Sequence, residues 1–235
     1  MKRILLSALA VLLMTTATFA QEEQAKPPKV LPMFGGIVKT EQEQKQDEKF
    51  LKSCDASFKT RQEASSFFME RGWEYYAEGE VDTAMYRFNL AWLLNPDNGD
   101  TYWAFGLVSS ANNKQEEALK LFEKAIVYQP KSSLLHSDIA SVYMNMYKQK
   151  DKRKHLKNAT KYLNKAVELD ATNAFALYSL SEVSYLQKNY DKAWNYLHQA
   201  RNIDMASMNY SFLYDLMDKM PDPQGFFSGK SEVTE

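Results

Sequence analysis

The strongest constraint on how this chain can fold is a spacing. Gly72, Ala84 and Pro96 are followed, each 34 residues later, by Gly106, Ala118 and Pro130. Phe68, Phe88 and Ala91 are matched by Tyr102, Phe122 and Ala125 at the same interval, and Tyr75 stands with the first block. A fixed period of this length marks stacked units that cannot bury their apolar faces alone, whereas an amphipathic bundle needs no such period. A third block carries His136, Ile139, Ala140 and Tyr143, then Ala159, Leu163 and Ala166; a fourth carries Leu177, Leu180 and Ser181, then Ala193, Leu197 and Ala200. From Ala140 to Ala159 the chain is seven residues longer than from Gly106 to Ala118. The third unit therefore holds either an insertion between two helices or a longer pair of helices.

The residue types fit helices that cross closely. Gly72 with Ala84, Gly106 with Ala118, Ala140 with Ala159 and Ser181 with Ala193 are small pairs for a crossing within each unit, and Ala91, Ala125, Ala166 and Ala200 let the next unit approach. Pro96 and Pro130 end second helices, since proline has no N–H for the ladder. Period and residues together resemble the tetratricopeptide repeat, a helix–turn–helix unit. The resemblance covers 143 of the 235 residues, Ser65 to Ser207. It departs at Ala171 and Met205, which stand where the proline falls in the first two units. The fold expected is all-α: a right-handed superhelix of four units, about 65–98, 99–132, 133–173 and 174–207, capped by helices at both ends.

Open solenoid ends need caps. Tyr210, Leu213, Tyr214 and Met217 form an i, i+3, i+4, i+7 stripe ended by Pro221, which predicts a capping helix over 208–220 and a loose tail over 221–235. Thr40-Glu41-Gln42-Glu43 and Thr60-Arg61-Gln62-Glu63 have the form of capping boxes. The first opens an N-terminal helix over 41–62, with Phe50, Leu51, Cys54 and Phe58 as a narrow apolar stripe. Residues 21–40 read as an extended linker built on Pro27-Pro28. The apolar Leu31, Pro32, Met33, Phe34, Ile37 and Val38 within it leave two readings: a spacer, or a docking segment for a groove in this chain or a partner.

Residues 1–20 read as a signal peptide. Lys2 and Arg3 precede an apolar run, Ile4 to Met14, and Thr18-Phe19-Ala20 supplies small residues for cleavage after Ala20. The run is short for a membrane span, and no integral membrane segment is expected after cleavage. Removal would leave 27 basic against 30 acidic residues, a balance that argues against nucleic-acid binding. An exported, periplasmic or secreted bacterial protein is expected. Cys54, the only cysteine, excludes an intramolecular disulfide and reads as a small hydrophobe on a helix face.

Catalytic and metal-binding constellations are missing. His136, His155 and His198 form no H-x-x-x-H, and neither a phosphate-cradling glycine loop nor G-x-S-x-G occurs. His136 falls at a packing position, His155 in the basic stretch where exposure is expected, and His198 has no evident partner. No cofactor, no metal and no enzymatic activity are expected.

The resemblance implies a peptide-binding groove lined by the first helices. Its positions fall on Met69, Trp73 and Tyr76; Trp103, Leu107 and Ser110; Leu134, Ser137, Ser141 and Met144; and Phe175, Tyr178, Glu182 and Tyr185. Such a face suits an amphipathic helix or an apolar peptide. The family's clamp for carboxylate tails uses Lys, Asn and Arg; here its places hold Met69, Trp73, Ala104, Leu134 and Asp138, so the clamp is absent. Lys148, Lys150, Lys152, Arg153, Lys154 and Lys157 form a second surface, for an acidic partner, anionic lipid or polysaccharide, or a solvated helix end. The expected function is a non-catalytic protein-binding scaffold of the cell envelope. The rivals are carbohydrate or peptidoglycan binding through the aromatics and weak self-association.

Overall fold

The computed structural model describes residues 26–227, and every regular element among them is helical. Ten α-helices follow in order: α1 Glu41–Ser57, α2 Arg61–Ala77, α3 Val81–Leu94, α4 Gly99–Ala111, α5 Gln115–Tyr128, α6 Ser133–Lys150, α7 Arg153–Leu169, α8 Ala174–Leu186, α9 Tyr190–Ile203 and α10 Tyr210–Lys219. Residues 1–25, which include the stretch read as a signal peptide, and residues 228–235 lie outside the described residues.

Local chemistry sets the boundaries. Thr40 and Glu43 cap α1 reciprocally, Thr40 Oγ1 accepting the Glu43 N–H at 3.3 Å and Glu43 Oε2 accepting the Thr40 N–H at 2.8 Å. At α2 the box is shifted: Thr60 accepts the Glu63 N–H, but the Glu63 carboxylate reaches back to the Lys59 N–H. Asn98, Ser132, Asn173 and Asn209 open α4, α6, α8 and α10 by accepting a first-turn N–H. Each turn from a first to a second helix contains one residue of positive φ, namely Gly79, Asn113, Asp151 or Lys188, which ends the first helix in the left-handed region.

The helices pack as antiparallel pairs, α2/α3, α4/α5, α6/α7 and α8/α9, and neighbouring pairs meet through α3/α4, α5/α6 and α7/α8. Within the first two pairs the small residue faces an aromatic ring. A methyl group at Gly72 would lie 2.3 Å from Phe88, and one at Gly106 would lie 2.5 Å from Phe122. In the fourth pair Ser181 takes that place and donates its hydroxyl to the Ala193 carbonyl at 2.7 Å. A polar clasp recurs between pairs. Ser65 donates to the Ala91 carbonyl and accepts from Asn98, and Ser133 does the same with Ala166 and Asn173. The next unit's cap is thereby tied to the preceding pair.

The extra length of the third unit goes into its helices: α6 has 18 residues and α7 has 17, against 13 and 14 in α4 and α5. His155, expected at the surface, is buried with its ring stacked on Tyr143, because the lengthened α6 covers the first turn of α7. Cys54 is buried between Ala64 and Leu94, and burial raises its thiol pKa.

Of the two readings of residues 21–40, the structure takes the docked one, and the C-terminal tail differs from expectation. The stretch read as a linker is docked on α3 through two 3-10 turns, Pro28–Val30 and Pro32–Gly36. Asn89, fully buried on α3, reads its backbone: the amide donates to the carbonyls of Lys29 (3.0 Å) and Leu31 (2.8 Å) and accepts the Phe34 N–H at 3.2 Å. Met33 and Phe34 sit in the left-handed region, and Lys39 covers the Phe34 ring. Lys26 pairs with Asp82 at the start of α3.

The tail is not loose over 222–227. Asp222 is buried; it accepts from His198 Nε2 at 2.8 Å and from the Gln224 and Phe227 N–H groups. Arg201 donates to His198 Nδ1, so Nε2 carries the imidazole proton, and Phe227 stacks on Trp194 and His198. His198 therefore has two partners. In α10 the buried face is Leu213 and Leu216, while Tyr210 and Tyr214 of the expected stripe point outward.

Candidate functional site: the inner wall of the array

First helices touch one another along the array, α4 with α6 and α6 with α8, so they line the inner wall and the second helices form the outer flank. The groove residues separate on this wall. Met69 does not line it: at 4% exposure it belongs to the core, as do Met144 and Ser137. Ser137 accepts from the Asn173 amide at the cap of α8 at 3.0 Å, and Met144 is enclosed with Leu156, Leu180 and Val183 between α6, α7 and α8.

Trp73 is half-buried against Phe88, with Tyr76 edge-on to it at 5.8 Å. Trp103 is half-buried and donates its indole N–H to Asp138 Oδ2 at 2.7 Å, joining α4 to α6. Tyr178 donates its hydroxyl to the Asp204 carbonyl, and Tyr185 packs edge-on against Phe212. Leu107, Ser110, Ser141 and Glu182 are half-buried. Leu134 and Phe175, each in the first turn of a first helix, stand out at 59% and 51% exposure.

Two further residues bear on this wall, one read in the sequence only as part of the capping stripe and the other only as a place of the absent carboxylate clamp. Tyr214 is 63% exposed and lies 36 residues after Tyr178; Asn209, Leu213 and Leu216 follow Asn173, Leu177 and Leu180 at the same interval. The helix α10 thus repeats the pattern of α8, a signal present in the sequence. The other is Asp138, whose carboxyl burial pushes up to about 6 while the Trp103 N–H draws it back. Glu182 is raised by burial and lowered by Lys148.

Lys148, Lys150, Lys152, Arg153, Lys154 and Lys157 are all exposed around the α6–α7 turn, and Lys150 pairs with Glu116 at 2.7 Å. Cations at the first turn of α7 oppose its helix dipole, and no side chain caps that turn. Among the described residues no group of three His, Cys, Asp or Glu could hold a metal ion, and no helix is long and apolar enough to cross a membrane.

No family model matches the chain. Over 143 residues, 61% of this chain, the sequence is 24% identical to anaphase-promoting complex subunit 3 of Schizosaccharomyces pombe, of which the match spans only 20%. Solved structures share the fold. TTC0263, a thermophilic TPR protein of Thermus thermophilus, is similar over 66% of this chain and 82% of its own (TM-score 0.59, 21% identity). PilF of Pseudomonas aeruginosa is similar over 68% of this chain and 70% of its own (TM-score 0.58, 20% identity). MamA matches over 70% and 96% (TM-score 0.51, 16% identity). The molecule is an all-helical repeat superhelix. Its fold is that of tetratricopeptide-repeat proteins.

Proposed function

We propose that this chain is a non-catalytic scaffold that binds another protein, through a peptide or a helix laid along its inner wall. The observation that carries the reading is the set of large apolar side chains left open there, Leu134, Phe175 and Tyr214, beside the half-buried Trp103 and Tyr178. Aromatic side chains held by hydrogen bonds offer contact area at low entropic cost. A curated relative whose name makes it a subunit of a multiprotein complex supports a scaffold role. The signal-like residues 1–20 support export and a place in a bacterial cell envelope, periplasmic or secreted.

Site-specific photo-crosslinking tests the binding face. A crosslinker at Leu134 or Phe175 is expected to capture one partner, lost on Trp103→Ala/Tyr178→Ala in a chain that keeps its helical circular dichroism. Capture of the same partner from Val127, which is exposed on the second helix α5, and not from the inner positions would reject the face. N-terminal sequencing of the exported protein is expected to begin at Gln21.

A further inference from the structure

Charge is unevenly placed between the two walls. The first helices α4 and α8 contain no lysine or arginine, and their only charged residues are Asp100 and Glu182. In α6 the inner-wall charge is Asp138, and its lysines are confined to the projecting end, Lys148 and Lys150. By contrast α7, on the outer flank, has five cations against the single Glu168. Along α4, α6 and α8 the inner wall is therefore aromatic and acidic, whereas α2 carries Arg61 and Arg71 beside Glu63, Glu70 and Glu74, and Lys148 acts on Glu182 from the end of α6.

Asp138 is the informative member. It is held against Trp103, its one hydrogen-bond donor among the described residues, and it has no ion pair. A half-buried carboxylate without a countercharge is costly, and a guanidinium or ammonium group from outside would offset that cost while lying against the aromatic rings. An anionic segment would add a like charge and be rejected.

We propose that the inner wall selects a partner segment that sets arginine or lysine beside apolar residues, the cation meeting Asp138 next to Trp103 and a second basic residue meeting Glu182 next to Tyr178. This rests on the inner wall being the binding face. Asp138→Asn and Glu182→Gln remove the charges and keep the shapes.

The test uses three labelled amphipathic helical peptides with one apolar face and different flanking residues: arginine, its neutral isostere citrulline, or glutamate. Fluorescence anisotropy with the full mature chain is expected to show the arginine peptide binding at least about tenfold more tightly than the citrulline peptide, a difference of about 1.4 kcal/mol. The Asp138→Asn/Glu182→Gln variant is expected to bring that ratio within about twofold. Equal binding of all three peptides, abolished by Trp103→Ala/Tyr178→Ala, overturns the charge preference and leaves the binding face standing. Preference for the glutamate peptide overturns it and points to the lysines of the α6–α7 turn. Binding of none of the three up to millimolar concentration overturns both readings.

Discussion

At Asp138 the folded chain holds its proton more tightly than the unfolded chain does, with a carboxyl pKa of about 6 against an ordinary 3.8. The contribution to stability is therefore full below the unfolded value and lost as pH rises through the folded one, opposite in sign to a salt-bridged carboxylate. Asp138→Asn keeps an acceptor for Trp103 and removes the charge. Urea unfolding is expected to show the variant about 1–3 kcal/mol more stable than wild type at pH 7.5 and equal to it at pH 4. At Gly72 and Gly106 the expectation is steric. An alanine at either would drive a methyl into the Phe88 or Phe122 ring, neither of which can leave its pair, so each substitution is expected to cost about 1–3 kcal/mol in the same measurement.

Two elements owe their position to single polar side chains. The N-terminal strap is held through Asn89, whose three hydrogen bonds to backbone contribute about 1 kcal/mol each. Asn89→Ala is expected to release the strap without unfolding the array: limited trypsin digestion would cut at Lys29 and Lys39, and stability would fall by about 2–3 kcal/mol. Wild-type resistance at those sites in the variant would show that apolar contacts alone hold it. The tail depends on Asp222 in the same way. Asp222→Ala is expected to free Phe227 from Trp194, seen as a red shift of tryptophan emission while helical content is kept. Neither device could be read beforehand. Helix periods expose which face is apolar, but an asparagine on α3 or a histidine on α9 looks like any other polar residue until the chain end that it holds is in place. The same reason hid the burial of His155, which follows from the added turns of α6.

Across the whole molecule the sequence carried the architecture because it is written in local, repeated terms. The small residues at Gly72, Gly106 and Ser181 recur where helices cross, and the recurrence could be counted. The inner wall was legible only in outline. Trp103, Tyr178 and Phe175 could be placed there, whereas Met69 turned inward, and the acidic character of the wall required knowing which helices line it. A linear array also makes a prediction about its end. The Trp194 and Leu197 side chains are sealed by α10 and the tail, and repeat arrays need such seals for solubility. A chain truncated after Ser207 is expected to associate, which light scattering coupled to gel filtration would detect as a mass above that of the monomer; a monomeric truncated chain would mean that α9 alone closes the array.

The strap fixes more than the first repeat. It runs along the outer flank, with Met33 beside Lys124 of α5 and Lys26 paired at the start of α3. A dye or tether attached at Lys26 therefore sits at the start of α3, on a second helix and not on the first helices of the inner wall. A protein held there presents its inner wall to solution, and immobilisation at that one residue suits binding experiments better than random coupling through lysines.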